Sequence, residues 1–318
     1  MKIRARPCYT SHQAMPVTAE SALPRYPSVE PATKSDRVLI VAPHMDDEAI
    51  GAGAFALDAI RAGADVFVAF MTAGDCARFS ARLLTRRLAP MPSDYLTLGR
   101  ARIGEAYRAM RILGVPQDRV FILGYPDRGL RTMVDEPALV VRSASTEQDA
   151  VPYEAALSPG APHTLGSVVR DLHRILDLVR PTTVITPVPF DRHPDHSAAA
   201  DLVDLAIDQS PYTPNRLGYI VHTSRFMKSL VWMPERALLP PANMRSFTWS
   251  TYAVSTNAQA VKAAMLDAYK SQRPYTYFLR NAFVRSNELF FAYSTETVHM
   301  PRTVASFACA PYSSPSSL

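Results

Sequence analysis

Short apolar runs alternate with longer helical patterns along most of this chain, and that alternation leaves few ways for it to fold. Runs rich in Val, Ile and Phe stand at 37–42 (RVLIVA), 65–72 (DVFVAFMT), 119–124 (RVFILG), 182–187 (TTVITP) and 217–222 (LGYIVH). Between them, apolar residues recur at three- and four-residue spacing over 48–62, 94–113, 165–179 and 196–208, which predicts helices there. A strand that is apolar on both faces must be covered on both faces. Strands of that kind joined by helices build a parallel sheet between two helical layers. The expected class is therefore α/β, a Rossmann-like and mostly parallel sheet. Ligands of such sheets bind beyond the carboxyl ends of the strands, so the residues that follow each strand are where chemistry is to be sought.

Two strand ends carry it. After RVLIVA the chain reads PHMDDEAIGAG, which sets His44, Asp46, Asp47 and Glu48 within five positions. A chain that needed only to turn would use Gly, Asn or Pro, whereas these carboxylates repel one another unless something positive lies between them. After TTVITP the chain reads VPFDRHPDHSAAADLV, with His193 and His196 three apart at a helix entry and Pro194 and Asp195 suited to its first turn. Taken singly, the first stretch also reads as a helix start whose acids favour the dipole, and the second as a capping turn. Both at strand ends of one parallel sheet point instead to a shared metal site: His44, Asp47 and one histidine of the second stretch, with open positions left on the ion. Asp46 cannot easily join Asp47 on the same ion, because successive side chains leaving a strand point in different directions. It is left for proton transfer.

Composition supports this reading. With 318 residues, 47% of them hydrophobic, the chain can bury one large core. We expect a single domain at 37–305, a Pro-rich N-terminal tail at 1–36 and a C-terminal tail at 306–318. No apolar run approaches a membrane-spanning length, so no integral membrane segment is expected, and the N-terminus lacks the apolar stretch of a signal peptide. Cys8, Cys76 and Cys309 lie far apart and form no paired motif, which predicts a reducing, cytoplasmic setting. The formal charge of +5 is spread over scattered arginines without a basic patch interleaved with aromatics. That argues against nucleic acid and suits attraction of an anionic substrate. Residues 125–164 lack periodicity and follow a strand end, so they are expected to form a flap on the substrate side, with 129–164 bordering the pocket. Oligomeric state is not legible here.

The stretches APHMDDEAIGAG and DRHPDH together resemble the LmbE-like, or PIG-L, family of zinc-dependent N-acetyl-sugar deacetylases, whose first motif usually reads PHPDDE. The likeness runs over most of 37–300 and includes MTAGD, RARIGEAYRAMRILGV, LGYPDRGL, YKSQ and SNELF. It implies the deacetylase fold, zinc or another divalent ion such as Fe2+, and an N-acetylglucosamine-type conjugate as substrate. By position it implies His44, Asp47 and His196 as ligands, Asp46 as general base and His193 as the electrostatic or acid partner. Met45 stands where the family has proline, and Asp191 where some sugar-thiol deacetylases carry an oxyanion-holding tyrosine, so Asp191 is expected to orient a histidine, with Asp195 beside it. Arg102 resembles a family arginine that reaches the sugar or the acetate product, and a surface ion pair with Glu105 is its plainer reading. Asp127 stands where the resemblance implies a carboxylate that holds sugar hydroxyls, and His222, at the end of LGYIVH, is expected to line the pocket or to serve as a structural histidine.

Amide hydrolysis suits these residue types, since it needs an activated water, a Lewis acid on the carbonyl and a proton for the leaving amine. The alternatives are another metal-dependent amide or ester hydrolase on the same scaffold, and a silent sugar-binding protein.

Overall fold

Residues 26–223 and 231–293 are described by a computed structural model. Five strands follow one another in parallel: β1 (Arg37–Ala42), β2 (Asp65–Thr72), β3 (Val120–Tyr125), β4 (Thr183–Pro187) and β5 (Asn215–Tyr219). Two more, β6 (Trp249–Ala253) and β7 (Asn287–Ala292), complete a sheet of order β3-β2-β1-β4-β5-β7-β6, with β7 antiparallel to both neighbours. Inner strands are buried almost throughout, as their unbroken apolar runs require.

The helices are α1 (Asp47–Arg61), α2 (Arg78–Thr85), α3 (Pro92–Leu113), α4 (Leu130–Asp135), α5 (Leu165–Val179), α6 (Pro194–Asp208), α7 (Thr256–Ala268) and α8 (Arg273–Phe283). β1 pairs with β4 on one side and β2 on the other, so the chain reverses its direction of travel across the sheet between β1 and β4. A crevice opens at that switch point beyond the strand ends. The two histidine-bearing stretches follow these two neighbouring strands, which is why they meet.

Two features differ from the sequence reading. β5 stops at Tyr219 instead of running on to His222, because the N–H groups of Val221 and His222 donate to the Asp191 carboxylate at 2.9 and 3.1 Å. Pro27 and Val29 exchange backbone hydrogen bonds with Thr251 of β6, so this part of the expected tail lies along the sheet. The expected boundary at 305 and the tail 306–318 lie outside the described residues.

α1 is broken. Ala52 has φ −146° and ψ 16°, which frees backbone groups on both sides of it. Glu288 of β7 accepts from the N–H groups of Ala54 and Phe55, both at 2.9 Å, and Lys262 of α7 donates to the carbonyl of Ile50 at 2.8 Å. Lys262 and Glu288 pair with each other at 2.5 Å, and both are fully buried. Beside the break Gly51 faces the ring of Tyr219, where an added Cβ would stand 2.4 Å from the nearest ring atom. Only glycine fits that contact.

Candidate metal centre and active site

The turn between β1 and α1 presents the first cluster. Asp46 holds φ at 137°, a region that L residues rarely occupy, and its carboxylate accepts no hydrogen bond from a described residue while it faces the cavity. Three groups hold the turn in that shape. Arg102 of α3 donates to the carbonyls of Met45, at 2.8 Å, and Gly74. Glu48 accepts from the N–H of Asp46 at 3.1 Å. Tyr269 donates its hydroxyl to Glu48 at 2.6 Å.

Three atoms that could serve as ligands then form a nearly equilateral triangle. His44 Nδ1 lies 3.2 Å from Asp47 Oδ2, His196 Nε2 lies 3.1 Å from the same oxygen, and the two nitrogens are 3.3 Å apart. Ligands about 2.0–2.2 Å from one ion, at angles between 90° and 109°, stand about 2.8–3.6 Å apart, so the triangle has the edge length that an ion needs. The opposite nitrogen of each histidine is backed by carboxylates. His44 Nε2 lies 3.2 Å from Asp195 and 3.4 Å from Asp127, and His196 Nδ1 lies 3.5 Å from Asp191. Such backing fixes ring orientation in metal sites. Other trios whose ligand atoms lie within 4.8 Å of one another are His44, Asp127 and Asp195, and Asp191, His196 and His222. These are the backing groups, since they gather on the outward nitrogens. A trio of His44, His193 and His196 is also close, but the Nδ1 of His193 already accepts from the N–H of Asp195 at 3.2 Å.

The electrostatics ask for a cation. Asp47, Asp127, Asp191 and Asp195 are all buried around His44 and His196. Burial alone would lower both histidines, yet the carboxylates outweigh it: Asp127, Asp195 and Asp47 hold His44 well above its ordinary value, and Asp47 and Asp191 push His196 up to about 9. Without an ion, then, the cluster draws protons onto its histidines. Burial would raise Asp47, but His196 and His44 hold it well below the usual range. Burial and the neighbouring Asp47 raise Asp46 to about 7. Burial and the charges of His44, His196 and His222 drop His193 to about 3. His193 is therefore neutral, with its ring proton on Nε2 because Nδ1 is an acceptor.

A cavity of about 260 Å3 opens over these groups. His44, Asp46, Asp47 and His193 form its floor, and Arg102, Asp127, Arg128 and His222 border it. Asp191 bonds the N–H of His193 at 2.9 Å and faces His222 Nδ1 at 3.3 Å. Asp195 ties down the Asp127 turn by accepting from the N–H groups of Arg128 and Leu130, at 2.6 and 3.2 Å.

Two expectations change. Arg102 is buried, and Glu105 turns instead to Ser271, accepting from its N–H at 2.9 Å and its hydroxyl at 2.6 Å. Of the expected flap, Asp127 and Arg128 reach the cavity, whereas 129–164 packs behind it: Ser145 and Tyr153 donate hydroxyls to buried Asp75. Sequence reasoning also passed over the wall formed by Gln272, Tyr275, Phe278, Leu279 and Ala282. The stretches YKSQ and SNELF were the signal for part of what was missed, since they supply Tyr269, Ser271, Gln272 and Glu288.

Comparison with known proteins gives the family and the fold. Residues 39–207 match the family model PIG-L, described as GlcNAc-PI de-N-acetylase. A 1D-myo-inositol 2-acetamido-2-deoxy-alpha-D-glucopyranoside deacetylase of Kribbella flavida is 33% identical over 168 residues, 51% of this chain and 50% of that protein. Its counterpart in Kineococcus radiotolerans is 31% identical over 175 residues, 53% of this chain and 44% of that protein. The match thus spans about half the length of these relatives. Among solved structures, N,N'-diacetylchitobiose deacetylase from Pyrococcus horikoshii aligns with a TM-score of 0.54 at 20% identity, over 85% of this chain and 89% of that one. The zinc inhibited form of teicoplanin deacetylase Orf2 aligns with a TM-score of 0.51 at 19% identity, over 80% and 97%. These two show the fold.

Proposed function

This chain belongs to the PIG-L family, and from that premise we propose that it hydrolyses the N-acetyl amide of an N-acetylglucosamine-type sugar conjugate, releasing acetate and a free amine. The observation that carries the reading is the triangle of His44 Nδ1, Asp47 Oδ2 and His196 Nε2, backed by Asp127, Asp195 and Asp191. These three residues would hold one divalent ion; zinc fits a two-histidine, one-carboxylate set, and Fe2+ fits it too. When bound, such an ion supplies Lewis acidity to the amide carbonyl and acidifies a neighbouring water.

This chain's own residues do the rest. Asp46 faces the cavity with its carboxylate oxygens free of described hydrogen bonds, and it accepts the water's proton as general base. His193, with its proton on Nε2, donates a hydrogen bond toward the oxygen that gains charge, and Asp46, having taken the water's proton, passes it to the departing amine. Asp195, Asp127 and Asp191 hold the two histidine rings in orientation. Asp127 keeps acceptor capacity toward the cavity for a sugar hydroxyl, and His222 lines the cavity beside His193, the two ring centroids 4.8 Å apart. Arg102 acts through the turn, since its guanidinium is committed to the carbonyls of Met45 and Gly74. A cytoplasmic setting belongs to the same reading, supported by the free thiol of Cys76.

The test is acetate release together with bound-metal analysis, over a panel of N-acetylglucosaminyl conjugates and matched O-acetyl esters. We expect amide turnover that a chelator abolishes and added zinc restores. Turnover of the esters alone would replace the reading with an esterase, and acetate release that survives complete chelation would end it.

A further inference from the structure

We propose that the face formed by α2, the segment after it and the outer side of α8 docks on an anionic lipid surface, with the mouth of the cavity beside the contact. From Cys76 to Ser93 the chain has four arginines, Arg78, Arg82, Arg86 and Arg87, and no Asp or Glu. Among them stand large apolar side chains in the open: Phe79, Leu83 and Leu84 at 46%, 57% and 43%, Leu88 at 88% and Met91 at 53%. Phe79 and Leu83 are one turn apart and share a face. A side chain as exposed as Leu88 contributes nothing to the core, and several together form a patch that calls for a partner.

The patch continues to the cavity. The rings of Phe79 and Tyr275 of α8 meet edge to face at 6.5 Å. Tyr275 and Phe278 line the cavity on one side and are exposed on the other, and Tyr277 is exposed beside them. Ala77, next to Arg78, lines the same cavity.

Charge selects the occupant. Arg87 leans on Asp94 at 3.7 Å, but Arg78, Arg82, Arg86 and Arg273 meet no carboxylate among the described residues. A second copy across a two-fold axis would set arginine against arginine. An anionic bilayer satisfies both parts of the face at once: headgroups take the arginines, while Leu and Phe enter the acyl boundary and Tyr stays at the interface. Such contact needs no spanning segment, and among the described residues no helix is long and apolar enough to cross a membrane.

The experiment is co-sedimentation of the full chain with vesicles of phosphatidylcholine alone and of phosphatidylcholine doped with phosphatidylglycerol. We expect partition onto the doped vesicles only, weakened by salt. Leu83→Asp/Leu88→Asp should lower it by about tenfold or more, and Arg78→Glu/Arg86→Glu by about fivefold or more for each arginine. All four side chains lie outside the candidate site, so cleavage of a small water-soluble substrate should be unchanged. Failure to bind the doped vesicles would overturn the proposal, as would variants that bind like the parent. So would a parent dimer that the leucine variant dissolves with no lipid binding in either. The readout is partition, so a failed deacetylase assay leaves this inference standing.

Discussion

At the scale of single residues, Asp46 as proposed base and Asp47 as proposed ligand are neighbours, and the two roles can be separated by experiment. Asp46→Asn keeps the size of the side chain and its hydrogen bonding to a water but cannot accept a proton at neutral pH. The expected outcome is unchanged bound metal with turnover lower by a factor of about 10² to 10⁴. Asp47→Asn removes one corner of the ligand triangle, so bound metal should fall and activity should partly return with excess zinc. Metal analysis beside acetate release reads both; a metal-free Asp46→Asn protein would reverse the assignment. The residue types at this site were legible because His, Asp and Glu gathered at strand ends have few structural uses. The backbone of Asp46 was not, since φ 137° is imposed by Arg102, Glu48 and Tyr269 acting on the turn. Tyr269 lies 221 positions from Glu48, and no local pattern announces a partner so far away.

At the scale of elements, the break in α1 is held by a buried pair from α7 and β7. Glu288 caps the second half of the helix, Lys262 ends the first, and each neutralises the other. Glu288→Leu would leave Lys262 buried as an unpaired charge and two N–H groups unsatisfied. We expect a loss of about 3–5 kcal/mol in urea unfolding. Lys262→Met/Glu288→Leu should cost less than the sum of the single changes, because neither charge is then stranded. Additive losses would show that the pair does not act as a unit. The sequence marked where α1 runs, within one residue at either end, because its periodicity survives the break. It could not mark the break, because GAGA within an apolar helix reads as tight packing until Tyr219 and Glu288 arrive from β5 and β7. The same limit explains β7: SNELFF looks like any apolar strand, and its antiparallel placement comes from pairing with β5 and β6. The segment at 129–164 was misread for a related reason. Its lack of periodicity signalled a functional loop, yet Tyr153 and Ser145 bury themselves on Asp75 behind the cavity.

At the scale of the whole molecule, Asp75 is expected to set part of how folding responds to pH, through contacts apart from the candidate metal ligands. Burial, and then the charge of Asp127, raise it to about 7 from an ordinary 3.8, against the hydrogen bonds from Tyr153 and Ser145. Between those two values the unfolded chain has lost this proton while the folded chain keeps it. The folded state therefore binds more protons there, and stability falls as pH rises. The stability this group contributes is complete below about pH 4 and is lost as pH climbs through about 7. Asp47, Asp127 and Asp191 act in the opposite direction. Their neighbouring histidines hold them below the usual range despite burial, so their contribution is present above the unfolded value and is lost as pH falls through the folded one. In chelator-treated protein the two trends oppose each other, and replacing Asp75 isolates one of them. Asp75→Asn keeps an oxygen to accept from Tyr153 and carries no charge at any pH. Urea midpoints measured from pH 4 to 8 should fall less steeply for Asp75→Asn than for the parent, and the gap should widen toward pH 8. Parallel curves would show that Asp75 is already ionised in the folded chain, and that Tyr153 and Ser145 bind a carboxylate there rather than a carboxylic acid.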